Sequence, residues 1–246
     1  MKITIKHYYD FRAINHQKKF DLDNAKAWDF LRLETIKNNN AFAIAESSDR
    51  LEQESLSNSS LNRQADTIID LVKERHFTRI NSYGVGAGQL EFLLKRKSPN
   101  IFLQCSDYAP RSMERLREVF KEAEEVIVFD MLKDSWVNDG EKCLYLFYRI
   151  DTAFNDYQWR MIFKKIMNAR IEHILFVPCE FLTLKRFITQ EIKYVLGKSL
   201  NRKISFAGYL RTKQQIKSLF SSCYDIEDTE GIGELKGFLL KLKKGD

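Results

Sequence analysis

The sequence predicts an α/β protein. Its core is a mostly parallel sheet covered on both faces by helices, closed by an antiparallel hairpin and preceded by a helical extension. Three observations predict it. Between residues 78 and 177, short apolar runs alternate with amphipathic stretches, the pattern of a parallel sheet with helical crossovers. A glycine-rich turn joins the first of these runs to the first of these helices. The last two apolar runs are separated by a link too short for a parallel crossover.

Taken in order, residues 1 to about 76 read as helical. Asp23 is placed to cap a helix carrying Ala27, Trp28, Leu31 and Ile36 on one face. Residues 47–62, rich in Ser, Asn and Glu, read as loop or frayed helix. Leu61, Ala65, Ile68, Ile69 and Val72 then follow at helical spacing. A first strand is expected at 78–83, and a helix through Leu90, Leu93 and Leu94. The second strand is expected at 101–105, a helix at 112–121, the third strand at 126–129 and the fourth at 143–148. A helix at 157–169, with Met161, Ile162, Ile166 and Met167 inward, precedes a fifth strand at 174–177. Near the end, Thr212 and Gln215 stand in capping-box spacing before a helix at 212–220. Strands at 224–229 and 235–242, linked through Gly231-Ile232-Gly233, complete the chain as a hairpin.

The 246 residues suit one domain, or one domain with a small appendage, and are enough to bury a core without covalent staples. The 40 Lys and Arg outnumber the 34 Asp and Glu, a net charge of +6 that suits an anionic partner without requiring one. Cys105, Cys143, Cys179 and Cys223 are too far apart for a Cys-x-x-Cys pair and are expected as free thiols, consistent with a reducing cytoplasm. No metal site is expected. The charged first ten residues do not read as a secretory signal, and no apolar run approaches the ~20 residues of a membrane span.

The segment with most chemical content is Ser82-Tyr83-Gly84-Val85-Gly86-Ala87-Gly88. Glycines between a strand and a helix let a backbone approach a ligand closely, and the helix start offers free N–H donors. Asp107 ends the second strand, where a carboxylate can accept both hydroxyls of an adenosine ribose. Asp130 ends the third, where it can accept from an adenine amino group with Met131 against the ring. Gln89 stands where a dinucleotide fold wants Gly or Ala, which argues against a nicotinamide cofactor.

With the YGVGAG loop, the acids of SDYAP and FDML, the FAGYLRTKQQIKSLF segment and the closing hairpin, the chain from about residue 65 resembles the class I S-adenosylmethionine-dependent methyltransferases. The resemblance implies a Rossmann-like three-layer sandwich with a seven-stranded sheet whose last strand is inserted antiparallel. It implies residues 65–246 as the cofactor-binding domain and 1–64 as a helical cap or extension. Tyr83, Gly84, Val85, Gly86, Gly88, Asp107, Tyr108, Asp130 and Met131 would hold S-adenosyl-L-methionine. One position departs from the pattern. Two residues before the first glycine the family carries an acid that helps to fix the methionine amino group; here it is Ser82. That leaves three outcomes open: weaker binding, a substitute acid elsewhere, or lost activity.

The implied activity is methyl transfer to a hydroxyl or amine of a small molecule, such as a sugar or a biosynthetic intermediate. The activated methyl donor asks the protein mainly for position and a dry site. Candidates to orient or deprotonate the acceptor are Tyr148, Asp151 and Asp156, after the fourth strand, although Asp156 is also placed to cap the following helix. His76 and His173 precede strands and so fall at the wrong end of the sheet, while His7 and His16 lie in the N-terminal segment and read as surface residues. Residues 181–217 carry nine basic side chains, opposed within that stretch only by Glu191 and interleaved with Phe187, Tyr194, Phe206 and Tyr209. Such a segment is either a solvated helix face or a lid for an anionic acceptor. It keeps a nucleic-acid (RNA) methyltransferase as the second reading, though no Asn/Asp-Pro-Pro-aromatic motif follows the fourth strand. A non-catalytic methyltransferase-like binding protein is the third. The N-terminal helices are expected to cover the cofactor with Tyr8, Tyr9 or Trp28, to pack on the sheet, or to pair two subunits as a homodimer.

Overall fold

In the computed structural model, residues 5–10, 24–33, 43–200, 204–229 and 233–243 are described. Seven strands form the main sheet: β2 (Arg79–Tyr83), β3 (Phe102–Asp107), β4 (Glu125–Val128), β5 (Cys143–Tyr148), β6 (His173–Val177), β8 (Tyr224–Asp228) and β9 (Phe238–Leu242). Their order is β4-β3-β2-β5-β6-β9-β8. The first five are mutually parallel, and β9 lies antiparallel between β6 and β8. The order reverses between β3 and β5, on either side of β2. At such a switch point the crossover helices diverge and leave a crevice beyond the strand ends.

Strict alternation places the core on both faces. Ile80, Leu144, Leu146, Leu175 and Leu239 face one apolar cluster, while Tyr83, Tyr145, Phe147, Phe176 and Phe238 face the other. Helices α3 (Ser59–Glu74), α4 (Gln89–Lys97) and α5 (Pro110–Val119) bury their apolar stripes in the first cluster, together with part of α2 (Ser48–Ser57). Helices α6 (Asp156–Asn168) and α8 (Lys213–Phe220) bury theirs in the second. Trp159 is fully buried there, its Nε1 donating to Asp151 O.

The sequence expectations need four corrections. Residues 47–62 are not loop: they form α2 and the first turn of α3. Ser47 accepts from Arg50 N and Asn58 from Leu61 N, so residue types that suggest loops here act as two successive helix caps. The N-terminal segment is not wholly helical, because β1 (Ile5–Asp10) is a strand. It pairs antiparallel with β7 (Ile204–Leu210) in a separate two-stranded sheet, with α7 (Leu184–Ser199) packed against it. The cap of α6 is Asn155, which forms a capping box with Gln158; Asp156 is the first helical residue. The expected box of Thr212 with Gln215 is present. Finally, the boundary drawn between residues 64 and 65 falls inside α3, which packs on α4 as part of the same helical layer.

Helix α1 (Ala25–Leu33) lies against α5. Asp29 fastens it by accepting from Ser112 N and Ser112 Oγ, both at 2.7 Å, at the start of α5, where free N–H groups favour a carboxylate. Asp23, His16, Ile36, Arg202, Lys203, Gly231 and Ile232 lie outside the described residues, as do the side chains of His7, Tyr8, Tyr9, Lys193, Tyr194, Lys198 and Phe206.

Candidate functional site

A cleft of about 1020 Å³ opens at the carboxyl ends of β2, β3, β4 and β5, where the strand order reverses. Its floor is the glycine turn. Gly84, Gly86 and Gly88 have φ of 72°, 60° and 75°, the left-handed region that glycine enters without penalty. A Cβ on Gly84 would meet Ile150 Cγ2 at 2.4 Å and one on Gly88 would meet Leu116 Cδ1 at 2.6 Å, whereas nothing lies within 4 Å of one on Gly86. Two of the glycines therefore permit close packing, and the third keeps space open over the loop. Gly86→Ala should cost roughly 1 kcal/mol of stability, the left-handed penalty, yet place a methyl group in the space above the turn. Thermal unfolding beside a ligand titration would separate the two effects: binding should fall while the transition moves by only a few degrees.

Asp107, at the end of β3, lines the cleft from below. Its Oδ2 accepts from Gly86 N at 3.3 Å and its Oδ1 from Ala109 N at 3.3 Å. Arg32 of α1 brings Nη1 to 2.9 Å from the same Oδ1, an ion-pair contact in which that N–H lacks hydrogen-bond alignment. Both groups are buried. A carboxylate offers about four lone-pair sites, so Oδ2 retains capacity for a ligand hydroxyl.

Asp130 also lines the cleft, but part of its carboxylate organises the following turn. Its Oδ1 accepts from Leu132 N at 3.0 Å and Lys133 N at 3.3 Å, and its Oδ2 pairs with Lys133 Nζ at 3.0 Å. Met131 forms an apolar wall beside it, backed by Trp136, whose Nε1 donates to Met131 O. Val85 and Tyr108 line the cleft as well. Tyr83 does not. As the strand neighbour of Ser82 it points to the opposite face of the sheet. There its ring packs on Trp136 at 4.7 Å and Tyr145 at 6.1 Å.

The three acceptor-side candidates separate in the same way. Tyr148 lines the cleft and donates from its hydroxyl to Gln64 Oε1; burial raises its pKa. Asp151 is 1% exposed and turns away from the cleft. Its Oδ1 accepts from Cys179 N at 2.6 Å, tying the loop after β5 to the loop after β6, and burial lifts its pKa to about 6. Asp156 pairs with Arg211 at 2.7 Å. The sequence signal for both acids, their place after a strand end, is the same for a loop fastener as for a base.

Four of the nine basic side chains of the 181–217 segment pair with acids outside it. Arg186 pairs with Glu180, Arg211 with Asp156, and Lys213 and Lys217 with Asp228. These acids lie outside the stretch, so its own composition does not reveal them. Trp28 and Leu31 of α1 line the cleft. Arg32 and Glu91 are among the lining residues that the sequence does not single out. Arg32 carries no local signal. Glu91, three residues after Gly88, was visible but gave no sign that it points inward. Among the described residues no group of three or more His, Cys, Asp or Glu could hold a metal ion, and no helix is long and apolar enough to cross a membrane.

No protein-family model matches the chain, and no curated protein matches it in sequence. Solved structures do match it in fold. Human N-acetylserotonin methyltransferase in complex with S-adenosylmethionine is 18% identical, over 95% of this chain and 65% of that one, with a TM-score of 0.55. An O-methyltransferase family 2 protein from Planctomyces limnophilus, in complex with apigenin, is 14% identical over 83% of this chain and 64% of that one, with a TM-score of 0.51. The pyocyanin biosynthetic protein PhzM is 15% identical over 68% of this chain and 50% of that one, with a TM-score of 0.51. The chain thus spans between half and about two thirds of the length of these structures. The fold is the Rossmann-like fold of class I methyltransferases.

Proposed function

We propose that the cleft binds S-adenosylmethionine and that the protein transfers its methyl group to a hydroxyl or amine of a small-molecule acceptor. One observation carries the reading. The glycine turn, Asp107 and the Asp130–Met131 corner, contributed by three successive strand ends, line a single cleft of about 1020 Å³. The residues fit the cofactor: space over Gly86 for a close ligand, an acceptor on Asp107 for ribose, and an apolar wall at Met131 for a flat ring. The fold neighbours, among them one solved with S-adenosylmethionine, support it.

When bound, the cofactor supplies a methyl group already activated on a sulfonium. The chain's task is then to orient the acceptor and exclude water. On the acceptor side the cleft is walled by Tyr148, Arg149, Thr152, Ala153 and Phe154, while Trp28 and Leu31 of α1 line it as well. Tyr148 is the residue there placed to hydrogen-bond an acceptor, with Gln64 fixing its hydroxyl. Asp151 and Asp156 act as positioning residues that hold the Thr152–Phe154 wall. The pairing of Arg186, Arg211, Lys213 and Lys217 with acids outside the basic segment favours a small acceptor over a nucleic acid.

Calorimetric titration with S-adenosylmethionine tests the proposal. Binding is expected in the wild type, and Asp107→Ala should weaken it by about 1–3 kcal/mol, the scale of losing a buried acceptor. No heat of binding up to millimolar cofactor would overturn the reading.

A further inference from the structure

The cleft contains a carboxylate that neither the glycine turn nor the ribose and adenine positions account for. Glu91 sits in the first turn of α4, is 2% exposed, and contributes to the cleft wall beside Gly88. Ser82, at the inward-facing position of β2, donates its Oγ to Glu91 Oε1 at 2.7 Å. The serine that stands where an acid was expected thus holds an acid reaching in from the adjacent helix.

Among the described residues no cationic side chain lies in ion-pair contact with Glu91. Lys95, one turn along the same helix, is committed to Glu124 and to Ile101 O. The ionisable groups that face it from other elements are Cys105 and Asp107 of β3 and Tyr148 of β5, none of them a cation. Of the guanidinium groups that line the cleft, that of Arg32 is paired with Asp107, that of Arg50 with Glu54, and that of Arg149 faces Tyr148 and Cys179. Burial accordingly lifts the Glu91 carboxyl to about 7. A buried carboxylate in a ligand-sized cleft, rotamer-fixed and lacking a counter-charge, is a site awaiting a cation.

We propose that Glu91, positioned by Ser82, is the anchor for the α-ammonium group of the methionine end of S-adenosylmethionine. It thereby replaces, from the helix, the acid that the strand lacks. This rests on the cofactor assignment above and specifies which residue holds the end of the ligand beyond the sulfur. It also makes binding release a proton near neutral pH. Without a ligand the Glu91 carboxyl is partly protonated there, and a bound ammonium holds it ionised.

Two ligands distinguish the proposal from the reading it rests on. S-adenosylhomocysteine carries the amino-acid end, and 5′-methylthioadenosine lacks it. Calorimetry at pH 7.5 should show Glu91→Gln weakening S-adenosylhomocysteine by about 30-fold or more, the scale of removing one member of a buried charge pair. Binding of 5′-methylthioadenosine should change by less than about twofold. Adding Ser82→Asp to that variant should recover a good part of the loss. In the wild type at pH 7, titrations in buffers of different ionisation enthalpy should show about half a proton released per S-adenosylhomocysteine, a readout that needs no variant. Equal losses for both ligands in Glu91→Gln, or no proton release in the wild type, would overturn the role of Glu91 and leave the cofactor assignment standing. Failure of the wild type to bind either ligand would overturn both.

Discussion

Arg211→Met should lower the unfolding free energy by on the order of 3 kcal/mol in urea denaturation at neutral pH. Arg211 follows β7 and is fully buried, and its planar fork is shared among three acceptors. Nε donates to Asp156 Oδ1 at 2.7 Å, Nη1 to Asp151 O at 2.8 Å and Nη2 to Phe154 O at 2.7 Å. Together these contacts clamp the loop between β5 and α6, which supplies Thr152, Ala153 and Phe154 to the cleft wall. Methionine fills much of the volume but donates nothing, so two carbonyls lose a donor and one carboxylate loses its counter-charge. Asp151 O keeps its bond from Trp159 Nε1, and the Asp156 side chain is 26% exposed and open to hydration, which holds the loss to the lower end of the range for broken buried pairs. Arg211→Lys should lose less stability but more than half of the hydrogen bonding, because a point charge cannot reproduce a fork. If Asp156→Asn costs as little in the Arg211→Met background as in isolation costs much, the two residues are coupled directly. Additive losses would refute the clamp.

Much of this architecture was legible because parallel strands buried on both faces must be apolar at nearly every position. The runs around Leu144 and Leu175 could hardly be anything else. The glycine turn was legible for a similar reason: only positions with left-handed backbone need three glycines at alternate places. What the sequence hid was non-local. β1 finds its partner in β7, at the far end of the chain, and a six-residue strand has too little periodicity of its own to announce itself. Ser47 and Asn58 read equally as loop formers, because the same side-chain oxygen that caps a helix also stabilises a turn. Within the cleft, the acids at strand ends could be named, but not the state of their carboxylates. Asp107 meets an arginine from α1, Asp130 is half committed to its own turn, and Asp151 serves as a fastener below the surface. Spacing gives the strand end on which a side chain sits. Which partners arrive from elsewhere is decided by packing.

The second large effect concerns Glu91 again, now through stability alone. Glu91→Gln should make the ligand-free protein more stable at pH 8, by an amount approaching about 3 kcal/mol, and should leave it unchanged near pH 4. The magnitude follows from the displacement of the carboxyl from its usual 4.5 to about 7, at 1.36 kcal/mol per unit. The sign follows from linkage. The folded state holds the proton more tightly than the unfolded chain, so below pH 4.5 both states are protonated and the group contributes nothing. Between 4.5 and about 7 the unfolded chain ionises while the folded protein resists, and stability drains away. Above about 7 the folded protein carries an uncompensated buried charge and the full cost is in place. Glutamine keeps an oxygen to accept from Ser82 Oγ and never ionises, so it escapes that cost. Chemical denaturation of wild type and variant at pH 4, 6 and 8 should therefore give curves that diverge upward with pH, and saturating S-adenosylhomocysteine should close the gap by stabilising only the wild type strongly. Parallel curves across that window would mean that Glu91 is already hydrated or neutralised in the folded protein. The cleft would then hold no stored demand for a cation, since a carboxylate that costs nothing to bury has nothing to gain from an ammonium.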